Sequence, residues 1–237
     1  MTAKQRVLAW SVHLFTALGL VAAAGIAVLI VRGGDDAFRA AFALMWLATG
    51  IDALDGTFAK MARVSEVLPW FDGRRLDDII DFQTYTSLPL LLIWRAGILP
   101  GGGAAVLLLP LLASAYGFSQ SDAKTKDGYF LGFPSYWNIV AFYVYFLEMP
   151  AWLAMAAIVT LALLTFVPSR YLYSTQPGRL SRVANVLAGP WSVLLIAVLL
   201  AGPAQRRTLA LGSLYFPAFY LGASWWVTWR KADKYQG

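Results

Sequence analysis

Residues 52–81 read DALDGTFAKMARVSEVLPWFDGRRLDDIID. They put Asp52, Asp55, Asp77 and Asp81 at the facing ends of two long apolar stretches, 37–58 and 76–99. An ionised carboxylate in such surroundings is expensive, about 2.5–3.5 kcal/mol at a helix centre even on the insertion scale. Four of them also repel one another. The group therefore calls for strong positive charge among its members. Two sources are open: the neighbouring Lys60, Arg63, Arg74 and Arg75, or bound divalent cations.

Outside this stretch the chain is apolar. Of its 237 residues, 59% are hydrophobic and 14% charged, against about 25% charged in an ordinary globular chain. That composition belongs to an integral membrane protein. There is no cysteine and a single histidine, His13, inside the first apolar run. Thiol chemistry, a histidine-based triad and a multi-histidine zinc site are thereby set aside, and acid–base groups and metal ligands must come from the carboxylates. His13 itself reads as packed between helices.

Apolar runs long enough to cross a bilayer fall at 7–31, 37–58, 76–99, 102–120, 133–148, 150–168, 183–202 and 208–229. They predict an all-α integral membrane protein, about eight transmembrane helices in one bundle, with residues 1–237 as a single polytopic domain. The first run has an apolar core of about 25 residues, beyond the 7–15 of a cleaved signal. With the N-terminus in the cytoplasm, 14 basic residues fall inside, Lys124, Lys126, Lys231 and Lys234 among them, and 5 outside. The positive-inside rule favours that orientation. It also accounts for the net charge of +6 without invoking nucleic acid. The aspartates then face the cytoplasm.

Spacing turns the aspartates into a site. Asp52 and Asp55 are three apart and Asp77 and Asp81 four apart, so each pair shares a helix face, whereas Asp78 points about 100° away. The residues from Lys60 to Arg75 suffice to turn the chain and set the two faces opposite each other. Oxygen-only donors suit Mg²⁺ or Mn²⁺, and two such ions would clamp a diphosphate. Gly56 and Gly73 allow backbone to approach a bulky ligand, and Ala59 keeps the side next to Gly56 open.

This pattern, D-x-x-D-G-x-x-A, a gap, then G-x-x-x-D-x-x-x-D, resembles the signature of the CDP-alcohol phosphatidyltransferase family. Members are integral membrane enzymes that displace CMP from a CDP-linked substrate with an alcohol. The resemblance implies that Asp52, Asp55 and Asp77 bind divalent metal, Mn²⁺ or Mg²⁺, as two ions. Asp81 would be the general base, also touching metal. Gly56, Ala59, Lys60, Arg63 and Gly73 would hold the CDP moiety. The family's arginine after the alanine is Lys60 here, which keeps the charge but loses bidentate phosphate geometry.

One complete span precedes the motif, a layout that resembles the bacterial branch of the family joining choline to CDP-diacylglycerol. Val67-Leu68-Pro69-Trp70, Asp122-Ala123-Lys124 with Asp127-Gly128-Tyr129, and the run Gly132 to Asn138 carry that resemblance further. It implies CDP-diacylglycerol and choline as substrates, a bacterial inner membrane as location and a homodimer as assembly. Choline's fixed positive charge is held by aromatic faces, and Tyr129, Tyr136, Trp137, Tyr171 and Tyr173 lie on the predicted inner side. Tyr136, Trp137 and Asn138 are the expected choline contacts, although Trp and Tyr also form interfacial belts without binding anything. Serine, inositol or glycerol 3-phosphate stay open as acceptors. So does cation transport by an acidic site.

Overall fold

A computed structural model of the chain describes residues 2–120, 125, 127–173 and 178–232; Asp122, Ala123, Lys124, Lys126 and Lys234 lie outside the described residues. Contacts gather into two compact units, residues 1–96 and 97–237.

The first unit is built on two long helices, α1 (Ala3–Arg32) and α2 (Asp35–Met61). α1 starts with a reciprocal cap between Thr2 and Gln5, which satisfies backbone donors that the helix cannot pair itself. It buries one stripe at helical spacing: Ala9, Val12, His13, Thr16, Gly19, Ala22, Ala23, Ile26 and Ile30. Its other faces leave Leu14, Val21, Val28 and Val31 exposed, as a helix bathed in lipid does. Gly33 and Gly34, both at positive φ, turn the chain into α2. A side chain at Gly33 would also strike the Arg95 guanidinium, 2.5 Å from where its Cβ would sit.

After α2 comes a single turn, α3 (Val64–Val67), entered through Arg63 at φ 49. Val64, Val67 and Leu68 pack with Ala9 and Val12 of α1, joined by Ala59, Ala62 and Phe71. The third long segment runs from Gly73 to Arg95 in three pieces: α4 (Gly73–Asp81), a π-helical stretch Phe82–Ser87, and α5 (Leu88–Arg95). Asp72 caps α4 by accepting a hydrogen bond from the Arg75 amide at 3.0 Å.

In the second unit a 3₁₀ stretch, Gly101–Leu107, leads into α6 (Leu108–Ser119). There follow α7 (Trp137–Phe146), α8 (Ala151–Leu164), α9 (Arg179–Leu200), α10 (Pro203–Ser213) and α11 (Tyr215–Ala232). A two-residue antiparallel ladder pairs Phe130 with Tyr171 and Leu131 with Arg170. Gly132, at φ 80, lies against the Thr165 carbonyl where any side chain would collide.

Among the described residues the chain is thus all-α apart from that ladder, and apolar helices mark it as a membrane protein. Four helices among the described residues are long and apolar enough to cross a membrane: Ala3–Arg32, Asp35–Met61, Gly101–Ser119 and Arg179–Leu200. The other expected spans look different. The third is divided by its π-helical stretch, and the eighth breaks at Leu214 between α10 and α11. α7 has 10 residues, about 15 Å of helix, because Pro134 and Ser135, the latter at φ 56, hold the residues before it out of the helix.

Candidate active site

The acidic motif is carried by α2 and α4, both in the first unit. One carboxylate oxygen from each of Asp52, Asp55 and Asp77 lies within 4.8 Å of the other two. Asp55 is buried, while Asp52 and Asp77 are half-buried. Asp81, one turn further along α4, is half-buried and falls outside this three-residue group. The three-residue and four-residue spacings do bring carboxylates from two helices together, with three rather than four at the closest meeting point.

A residue that the motif does not contain completes the arrangement. The Tyr85 hydroxyl donates to Asp52 Oδ2 at 2.7 Å, and the Thr49 hydroxyl is also within its hydrogen-bonding reach. Tyr85 is buried, 9% exposed. It follows Asp81 by four residues, continuing the series Asp77, Asp81, Tyr85, and it sits in the π-helical stretch. A donor of this kind orients a metal-binding carboxylate and removes one of its free rotations.

The site's own chemistry tests whether a divalent cation fits. The donors are all oxygen, converge from two helices, and are held by a second layer through Tyr85. Two of the basic side chains that might have neutralised them turn elsewhere. Arg63 pairs with Glu66 and Arg75 with Asp72, each at 3.9 Å and well exposed. Lys60 and Arg74 are exposed on the surface. Three carboxylates this close, with these arginines turned to other partners, fit a hard divalent ion such as Mg²⁺ or Mn²⁺.

The two motif glycines differ. A Cβ at Gly56 would meet nothing within 4 Å, whereas one at Gly73 would lie 2.5 Å from His13 Cε1. Gly56 therefore opens on free space, and Gly73 is covered by protein. Ala59 is half-buried against the Val64, Val67 and Leu68 cluster.

The aromatic candidates belong to the second unit. Tyr136 is half-buried at the start of α7, its ring 6.2 Å from that of Tyr220. Trp137 is fully buried, and its Nε1 donates to Ser114 Oγ at 2.7 Å. Asn138 is buried, and its Oδ1 accepts from the Ile139 amide at 2.9 Å. Of the three, Tyr136 alone keeps part of its ring accessible.

No family model matches the chain. Whole-length relatives do. A phosphatidylcholine synthase of Pseudomonas aeruginosa is 32% identical over 240 residues, spanning 100% of this chain and 98% of the relative. One of Legionella pneumophila is 34% identical over 96% of this chain and 91% of its own length. One of Borreliella burgdorferi is 30% identical over 96% and 97%. Similarity of this extent places the sequence in a family: the chain belongs to the phosphatidylcholine synthases.

Proposed function

We propose that the protein transfers the phosphatidyl group of CDP-diacylglycerol to choline, giving phosphatidylcholine and CMP. The observation that carries this reading is the meeting of Asp52, Asp55 and Asp77 within 4.8 Å, in a chain whose whole-length relatives bear the name phosphatidylcholine synthase.

In this reading Asp52, Asp55 and Asp77 would hold Mn²⁺ or Mg²⁺, as two ions, with Asp81 also a ligand. When bound, the ions neutralise the diphosphate and stabilise the departing oxygen. Asp81 accepts the choline hydroxyl proton as that oxygen attacks the phosphorus bearing diacylglycerol. The bond from this phosphorus to the CMP oxygen breaks, and CMP leaves with the electron pair. A free alcohol barely ionises near neutral pH, so the proton must move as the new bond forms. Gly56, Ala59, Lys60 and Arg63 line the CDP side. Tyr136 offers its ring to the quaternary ammonium by cation–π attraction, with Trp137 and Asn138 beside it in the same turn.

The reading includes eight spans, a single membrane domain, an inner-membrane location with the carboxylates toward the cytoplasm, and a homodimer. Basic residues concentrated on one side support the orientation. CDP-diacylglycerol then enters from the inner leaflet with its acyl chains left in lipid.

The test is CMP release by purified protein given CDP-diacylglycerol and Mn²⁺, with choline, serine, inositol and glycerol 3-phosphate supplied separately. Release with choline alone is expected, and metal chelation should abolish it. Release with another acceptor keeps the aspartate chemistry and discards the choline assignment. Folded protein that releases no CMP with any acceptor overturns the transferase reading and turns attention to transport.

A further inference from the structure

His13 has no part in the chemistry above, yet it touches the motif. It lies on α1 and is 6% exposed. Its ring packs at 4.4 Å from Phe71 and 5.8 Å from Trp10, centroid to centroid. Its Nε2 is buried and has no hydrogen-bond partner among the described residues. The ring is therefore located by shape rather than by polar bonds. Another wall of its compartment is Gly73, the first fixed residue of G-x-x-x-D-x-x-x-D. A Cβ there would stand 2.5 Å from His13 Cε1 and 3.1 Å from Nδ1. Real Cβ atoms do not approach so closely, and a ring enclosed by Trp10 and Phe71 has little room to retreat.

A second contact of the same kind lies further along the same two helices with the roles reversed. At Gly19 of α1, a Cβ would stand 2.6 Å from Ile80 Cγ2 of α4. Six residues separate His13 from Gly19, and seven separate Gly73 from Ile80. The two helices thus run side by side, each giving one large side chain and one glycine socket. Two sockets fix both the spacing and the axial register of α4 against α1, and Asp77 lies between them.

We infer that His13 is a positioning residue: seated in the socket at Gly73, it sets where α4 lies and so brings Asp77 to Asp52 and Asp55. On this account position 73 is glycine because His13 occupies the space a side chain would need. The inference rests on the metal-dependent transferase reading, and it assigns α1, which carries none of the motif, a part in building the site.

A double-mutant cycle tests it, with Mn²⁺ binding to purified protein followed by EPR beside CMP release. Gly73→Ala should weaken Mn²⁺ binding roughly 10–100-fold and lower kcat by about 100-fold, the effect of a displacement near 1 Å. His13→Ala should cost less in both. In the combined His13→Ala/Gly73→Ala protein the methyl group finds its space vacated, and both quantities should recover to the level of His13→Ala. If Gly73→Ala is equally harmful with and without His13, the glycine serves the ligand and the inference fails. It fails too if Gly73→Ala binds Mn²⁺ as the wild type does. Should Gly73→Ala not fold, His13→Ala alone decides. A raised Mn²⁺ Kd and lowered kcat with unchanged KM for choline support positioning, and an unchanged Mn²⁺ Kd overturns it. Wild-type protein that binds no Mn²⁺ overturns the metal reading and this inference with it. Wild-type binding without rescue removes this inference alone.

Discussion

The two units handle buried polarity in opposite ways. In the first, carboxylates from α2 and α4 crowd within 4.8 Å of one another, while Arg63 and Arg75 of the intervening segment pair elsewhere. In the second, most buried polar groups close on one another, the Tyr171 hydroxyl being an exception among the described residues. Tyr143 Oη accepts from Trp191 Nε1 at 2.8 Å and lies 2.9 Å from Ser213 Oγ, which ties α7 to α9 and α10. Trp137 is tied to Ser114 of α6, Tyr220 donates to the Leu172 carbonyl, and Ser224 and Thr228 accept from backbone amides at Leu172 and Arg170. A satisfied network stabilises and specifies a packing. A crowd of like charges costs stability and is kept for what it binds. Polarity in a membrane protein is thus not in itself a sign of function; its state of satisfaction is.

Substitutions should separate the two kinds. Asp81→Asn ought to lower CMP release by about 10²–10⁴-fold, the usual contribution of a general base, while CDP-diacylglycerol binding largely survives. Full turnover would take the base role from Asp81. Asp55→Asn removes a charge from the crowd. Turnover should fall by about 10³-fold, equivalent to several kcal/mol of lost stabilisation at the metal site, while the thermal midpoint in detergent stays level or rises. A lower midpoint with activity retained would make Asp55 a structural residue and erase the contrast.

Tyr85→Phe is milder. It leaves the charges and removes the donor to Asp52, and Mn²⁺ affinity should weaken about 10-fold, toward the low end for second-layer changes at metal sites. In the second unit the ordering reverses. Trp137→Phe leaves Ser114 without its indole partner and should cost about 1–3 kcal/mol of stability, with the choline KM little changed. A large rise in that KM would instead put Trp137 in contact with choline. The smallest effect is expected at Tyr136→Leu, a roughly 2–5-fold rise in choline KM from a cation–π contact worth about 0.5–1 kcal/mol.

Much of the first unit was legible in the sequence. Carboxylates spaced by three and four residues at the ends of apolar runs can hardly be accommodated except on facing helices, and Asp52, Asp55 and Asp77 do meet. Tyr85 was harder to see, because a tyrosine in an apolar run reads as packing. Its signal was positional, one more step of four beyond Asp81, within the polar run Gln83-Thr84-Tyr85-Thr86-Ser87 in mid-segment. The neighbour of Gly73 was not legible at all, since it depends on a contact between residues 13 and 73 that no local pattern records. The second unit was read least well. Its apolar runs have the right length, but hydropathy does not register the break at Leu214, three residues before Pro217, or the shortening of α7, which Pro134 precedes; proline removes a backbone donor and crowds the preceding turn.

The π-helical stretch Phe82–Ser87 has a consequence for how this segment can vary. A wide turn of this kind holds one residue more than the α-helix around it, so the residue numbers that share a face beyond it are offset by one from the series set by the aspartates. The aspartates of α4 and the apolar face of α5 therefore occupy one continuous helix without sharing a single residue series. Loss of one residue between Phe82 and Ser87 would close the wide turn to α-helical winding and leave α5 nearly in place relative to Asp77 and Asp81, whereas the same loss within α5 would rotate everything beyond it by about 100°. The wide turn works as a splice between two helical halves, one phased to its carboxylates and the other to its lipid and packing neighbours.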